Sequence, residues 1–244
     1  MERFSFIFLV AGLLFFAFAF VVSAWFPMIP VADLEIRTIE QLASQQPVEF
    51  LELQEQYPEA YEAAFGGKND AEAFAEALRI GHRSYIAEAC WHCHSQQIRP
   101  WGNDEARYGR KSYPEEYHNR LNMPPLWGTR RIGPDLIRRG GKQSNDWHVA
   151  HFYHPPDVNS VSVMPSYPWF YEDDGLTPNK TGLSMIAYVQ WLGSWEPGLG
   201  QTIYDVGPIE SVYPPPAIER PVAPAPPPGE EPEEEEEDFW GEEE

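Results

Sequence analysis

Residues 88–97 read EACWHCHSQQ, and the fold turns on what Cys90 and Cys93 do with the two histidines beside them. Cys-x-x-Cys-His is the spacing of covalent c-type haem attachment. Two thiols one helical turn apart can reach both vinyl groups on one edge of a porphyrin. The next residue, His94, then lies under the ring with a nitrogen to offer the iron. His92 falls between the cysteines, where any residue serves. Two other chemistries share the spacing. A structural zinc site needs four ligands, ordinarily two such clips or a Cys2His2 pattern. The chain holds only these two cysteines, so zinc would have to recruit distant histidines. A redox dithiol normally sits beside a βαβ pattern, whereas the flanking sequence reads as helices and Pro-rich loops.

Upstream, a helix capped by Asp70 is predicted to run to about Ala89 and straight into the motif. Its Phe74, Leu78, Gly81 and Tyr85 fall at i, i+4, i+7 and i+11, one helical face. An earlier helical stretch covers 47–65 and is broken by Gly66-Gly67. Downstream, 98–143 is loop-like, rich in Gly, Pro, Arg and Trp. Ser144 caps a short helix through Tyr153, stopped by Pro155-Pro156. A second Pro- and aromatic-rich loop, VMPSYPWFYEDDG, spans 163–175. The last helix carries Thr177 as N-cap, Pro178 at its first position and Gly193 at its C-terminal end. Met185, Tyr188, Val189 and Leu192 make a core-packing stripe on it.

The two ends of the chain differ from this middle. Phe4 to Phe26 carries no charge; a helix of that length spans roughly 34 Å, enough to cross a bilayer core. It is too long for the apolar region of a cleaved signal peptide. Arg3 favours a cytoplasmic N-terminus with the acidic bulk translocated. From Pro208 the sequence turns into proline and then glutamate, a composition that cannot bury a core. The net charge is -21, and eleven acidic residues lie from Glu230 onward with no basic one. Nucleic-acid binding, which needs clustered Lys and Arg, is excluded. Membrane subunits and basic proteins fit such a chain.

Gly81 and Tyr85 before the motif, Gly133-Pro134-Asp135-Leu136 after it, and Tyr188 and Leu192 on the last helix resemble the class I cytochrome c fold. In that family the proline carbonyl of such a segment accepts a hydrogen bond from the proximal histidine, which gives Pro134 the role of orienting His94. The family's ligand methionine comes after this segment and before the last helix. Met164 satisfies that order and Met123 does not. The resemblance implies one covalent haem c, tethered by Cys90 and Cys93 and ligated by His94 and Met164.

A narrower resemblance rests on YIAEACWHCHSQQIRPW, RYGRKSYPEEY and WGTRRIGPDLIRRGGKQSNDWHVAHFYHPPDVNSVSVMPSYPWF. These runs closely resemble the membrane-anchored mono-haem subunit, the second subunit, of cbb3-type cytochrome c oxidases. The implied fold is mainly α: a single N-terminal transmembrane helix, a class I cytochrome c domain and a disordered Pro/Glu-rich tail. The expected divisions are an anchor at 1–30, a helical linker or insertion at 31–78, the cytochrome domain at 79–195 and the tail at 196–244. The implied function is electron transfer to a catalytic haem–copper subunit that reduces oxygen, with no active site in this chain. Implied partners are that subunit and other cytochrome c subunits. The implied location is a bacterial inner membrane, single-pass, with the haem domain periplasmic. The alternatives are the mono-haem donor of a nitric oxide reductase-type complex and a tethered electron shuttle. The stretch 40–78 and the tail depart from the family's pattern.

Arg99, Arg130 and Arg131 are candidates to pair with haem propionates, since a guanidinium matches a carboxylate through two hydrogen bonds. His148, His151 and His154 stand three apart, a metal-like spacing whose plainer reading is packing or subunit contact. Trp101 and Trp127 read as pocket-lining or core residues. The acidic tail, with Phe239-Trp240, suits steering of a soluble basic electron donor.

Overall fold

The computed structural model describes residues 2–128 and 130–194; the predicted disordered tail lies outside them. Helix α1 (Glu2–Phe20) continues through a π turn (Val21–Trp25) and two short turns (Phe26–Met28 and Ile29–Val31). The apolar span Phe4–Val31 has 28 residues, about 40 Å of helix and enough to cross a hydrocarbon core. Among the described residues its large side chains are left exposed, with Phe8 and Phe15 each 74% exposed.

Four helices precede the cysteine turn's own loop region. Helix α2 (Ile39–Ala43) opens on a capping box in which Gln41 N–H donates to Thr38 Oγ1 and Thr38 N–H donates to the Gln41 side chain. The predicted 47–65 helix is two, α3 (Val48–Gln56) and α4 (Pro58–Phe65). Pro58 lacks an N–H to continue the first and fits the opening turn of the second. Helix α5 (Asp70–Ala87) is capped by Asn69 rather than Asp70, its Oδ1 accepting from Glu72 N–H at 3.0 Å. Asp70 instead sits in the first turn, where its carboxylate complements the helix dipole.

After a long loop region holding α6 (Asp104–Tyr108), α7 (Asn145–Tyr153) has Ser144 as its cap, as predicted. The last helix, α8 (Lys180–Trp191), is capped by Asn179 rather than Thr177. Asp174 explains the shift. Its carboxylate accepts from both Thr177 N–H (2.9 Å) and Thr177 Oγ1–H (2.6 Å), while Asn179 Oδ1 takes Thr181 N–H and Gly182 N–H. Among the described residues there is no strand, only isolated bridges at Arg37–Asn119 and Tyr171–Pro178.

The core is built where α5 crosses α8. A Cβ on Gly81 would lie 2.1 Å from the Ser184 carbonyl and 2.6 Å from Tyr188 Cβ, so only glycine allows this approach. One turn on, Tyr85 and Tyr188 meet with ring centroids 5.4 Å apart. Phe74, Leu78, Leu183 and Trp191 are fully buried around the crossing, each contributing about 1.5–3 kcal/mol by leaving water. Helices α3 and α4 add Phe50, Leu53 and Phe65 to the same core, and the Phe50 and Phe74 rings meet at a tilt with centroids 4.6 Å apart. The 78/79 division expected from the sequence therefore falls inside α5, whose first half packs on this earlier segment.

Candidate functional site

Helix α5 does not run straight into the cysteines, as the sequence suggested. It ends at Ala87, and Ala89 turns the chain in the left-handed region (φ 55°, ψ 31°), which costs a non-glycine residue about 1–2 kcal/mol. Cys90–His92 then form a 3-10 turn in which Cys93 N–H and His94 N–H both donate to the Cys90 carbonyl, at 3.1 and 3.0 Å. The turn places both free thiols on one side.

The segment 133–136 is laced alongside this turn. Gly133 N–H donates to the Cys93 carbonyl (3.0 Å) and Leu136 N–H to the Ser95 carbonyl (2.8 Å). Between them, His94 Nδ1–H donates to the Pro134 carbonyl at 2.9 Å. A carbonyl can only accept, so Nδ1 holds the proton and Nε2 carries the free lone pair. Gly133 makes room for the ring, since a Cβ there would lie 2.1 Å from His94 Cε1. Burial pushes the His94 pKa down, against the pull of the Pro134 carbonyl, and keeps the ring neutral. Burial, and then Glu88, push the Cys90 thiol up to about 12.

Cys90, Cys93, His94 and Met164 all line one cavity of about 480 Å³, with Leu136 and Val189 among its apolar walls. Met164 is half-buried and packs on the core. Met185 also borders the cavity but from within α8's buried face. Met123, in contrast, is 42% exposed and borders a different hollow beside Tyr113 and Tyr117. A second lobe of about 240 Å³ shares His94, Pro134 and Met164 with the first and reaches Arg139, Trp147 and His148; no cysteine lines it.

The three arginines singled out in the sequence line neither lobe. Arg131 donates to Asp104 Oδ1, Ser95 Oγ and the Gln97 carbonyl, each at 2.5 Å. Asp135 closes the cluster by accepting from Ser95 Oγ–H (2.5 Å) and Gln97 N–H (2.9 Å). This buried group braces the chain after the motif against the segment that holds Pro134. Arg99 lines a separate outer hollow of about 580 Å³ with Trp91, Trp101 and Trp127. Trp101 is 66% and Trp127 47% exposed, so neither is a core residue. Arg130 is exposed.

His148, His151 and His154 do not converge. His154 is exposed and pairs with Asp157 Oδ1 at 2.7 Å, and among the described residues no three His, Cys, Asp or Glu side chains gather around a metal position. His148 and His151 face the cavity from α7. Burial pushes His148 down to about 3 and His151 to about 4, with Arg139 adding to both. Sequence reading passed over Arg139. Nothing distinguishes it there from Arg138, which the fold commits to Glu116 at 2.6 Å.

Two terminal helices crossed at a glycine, over a cavity walled by the thiols and histidine of a Cys-x-x-Cys-His turn, define a c-type cytochrome domain of class I architecture. The family model described as cytochrome C oxidase, mono-heme subunit/FixO matches residues 70–194, and the chain belongs to that family. No curated protein matches the chain. Family and N-terminal helix together make it a membrane-anchored mono-haem cytochrome c subunit of a cbb3-type oxidase.

Proposed function

We propose that this subunit carries electrons through one covalently attached haem c to the catalytic haem–copper subunit of the oxidase. The carrying observation is the 2.9 Å hydrogen bond from His94 Nδ1 to the Pro134 carbonyl, with the two thiols and Met164 on the same cavity. A bound haem supplies a one-electron ferrous/ferric couple. The residues present suit it. Cys90 and Cys93 would form thioether links along one edge, and the apolar walls suit a flat macrocycle. His94, neutral and held in one tautomer, offers Nε2 to the iron, while the Pro134 carbonyl fixes the ring's direction and raises its basicity. The Met164 thioether would hold the iron together with His94, a combination that would raise the reduction potential. Held by two protein side chains, the iron would have no place for a substrate and would serve electron transfer.

In this reading the 1–30 anchor crosses a bacterial inner membrane with the N-terminus cytoplasmic. The haem domain, 79–195, stands on the periplasmic side with segment 31–78 packed on it, and 196–244 forms the tail. Other cytochrome c subunits and a soluble basic donor supply electrons. Met164→Ala in the full-length holoprotein tests the site: the thioether–ferric iron charge-transfer band disappears. A band of unchanged intensity rejects Met164 as ligand. Purification through this chain tests the partnership: a large polytopic haem protein with oxygen reductase activity comes with it. Recovery of the chain alone, or with a nitric oxide-reducing complex, rejects the oxidase assignment.

A further inference from the structure

The second lobe of the cavity carries a cation where the first carries none: Arg139, with Trp147 and His148, lines this lobe alone. Arg139 reaches it half-buried, over the Trp147 ring at 5.5 Å, and no carboxylate pairs with it among the described residues. Arg131 and Arg138 contrast sharply with it, since each holds a buried acid. A desolvated guanidinium without a counter-ion is costly, and an anion beside it removes that cost. A second observation points to the same ligand. His148 is only 2% exposed, yet neither of its ring nitrogens has a hydrogen-bond partner, and His151 Nδ1 is likewise buried without one. Buried polar atoms are ordinarily satisfied, so these two rings call for a bound partner that can accept from one N–H of each. An imidazole has an N–H to donate in either protonation state.

The geometry sets which end of a haem arrives there. The lobe shares His94 and Met164 with the main cavity but carries neither cysteine. A porphyrin tethered through its vinyl edge at Cys90 and Cys93 directs its two propionates to the opposite edge. We infer that Arg139, His148 and His151 hold the propionate carboxylates of the haem, in place of the arginines that the sequence brought forward. This rests on the haem reading above. The guanidinium fork supplies paired N–H donors to one carboxylate, and the imidazole N–H groups supply the rest. Arg139, His148 and His151 are positioning residues: they fix how the ring lies between His94 and Met164, and the cation disfavours the ferric state.

The test uses full-length holoprotein carrying Arg139→Gln, Arg139→Lys or, as a charge control, the exposed Arg120→Gln. The resonance Raman propionate bending band is read together with the midpoint potential. In Arg139→Gln the band shifts and the midpoint falls, because the lost cation had disfavoured the ferric state. Arg139→Lys keeps the charge but loses the fork, so its band shifts with a smaller drop in potential; it carries the test if the Gln variant does not fold. Arg120→Gln moves neither. A propionate band unmoved in a haem-loaded Arg139 variant overturns the proposal, whatever the potential does, and so does an equal shift in Arg120→Gln. Absence of covalent haem from the wild-type chain defeats the parent reading instead, which separates the two failures.

Discussion

Gly133→Ala probes the joint between fold and site. The new Cβ would lie 2.1 Å from His94 Cε1, 2.6 Å from Nδ1 and 2.7 Å from Nε2. Ordinary contact begins near 3.4 Å, so the imidazole must retreat by about 1.3 Å, more than the 2.9 Å bond to the Pro134 carbonyl can absorb. Overpacking of this kind costs about 1–3 kcal/mol, and the lost hydrogen bond about 0.5–1.5 kcal/mol more. A total of about 2–4 kcal/mol corresponds to a melting temperature lower by roughly 5–15 °C for a chain of this size. The assay is thermal unfolding of the purified holoprotein, read beside the thioether charge-transfer band. The band weakens or shifts with the displaced ring. A melting temperature within about 1 °C of wild type, with an unchanged band, refutes the placement of His94 against Gly133.

Gly81→Ala strikes the helix crossing instead: its Cβ meets the Ser184 backbone carbonyl at 2.1 Å, which no rotamer relieves. A loss of about 3 kcal/mol or more in denaturant unfolding is expected. Arg131→Met leaves Asp104 and Asp135 buried without their cation, a loss of about 3–5 kcal/mol at neutral pH. Burial alone would raise the Asp104 pKa, but hydrogen bonds from Arg131 and from Arg99 N–H more than offset it and leave it lowered. The pair's contribution is thus present above the unfolded carboxylate's value of about 4 and disappears as pH falls through the lower folded value. Wild type and variant should converge in stability once acidification passes below the lowered folded value, and a gap that persists there counts against the pairing. Deleting residues 221–244 should slow association with a basic donor at low salt, whereas an identical rate and salt slope removes the steering role of the tail.

Much of this was readable from the chain. The Cys-x-x-Cys-His spacing depends on residues adjacent in sequence, and Gly81 with Tyr85 shows itself through helical periodicity. The class I resemblance, through chain order, preferred Met164 to Met123, and of the two it is Met164 that lines the cavity with the cysteines. The caps were missed by one or two residues because Asn69 stands beside Asp70 and Asp174 captures Thr177; several good capping side chains competed, and tertiary geometry chose. The arginines were harder. Charge is visible in sequence, but its counter-charge is not: Arg131 finds Asp104 across 27 positions and Arg138 finds Glu116 across 22, which leaves Arg139 without a carboxylate among the described residues. Likewise, the 31–78 stretch reads as a helical linker or insertion, and its sequence does not show that Phe50, Leu53 and Phe65 lie in the same core as Trp191.

The central claim is that Cys90 and Cys93 tether a haem. A pyridine haemochrome spectrum on the denatured, solvent-extracted chain measures it directly, because thioether-linked haem survives denaturation. One c-type haem per chain is expected, lost in the Cys90→Ala, Cys93→Ala double variant. Haem that extracts freely from the wild-type chain, or a chain that carries zinc and no haem, contradicts it.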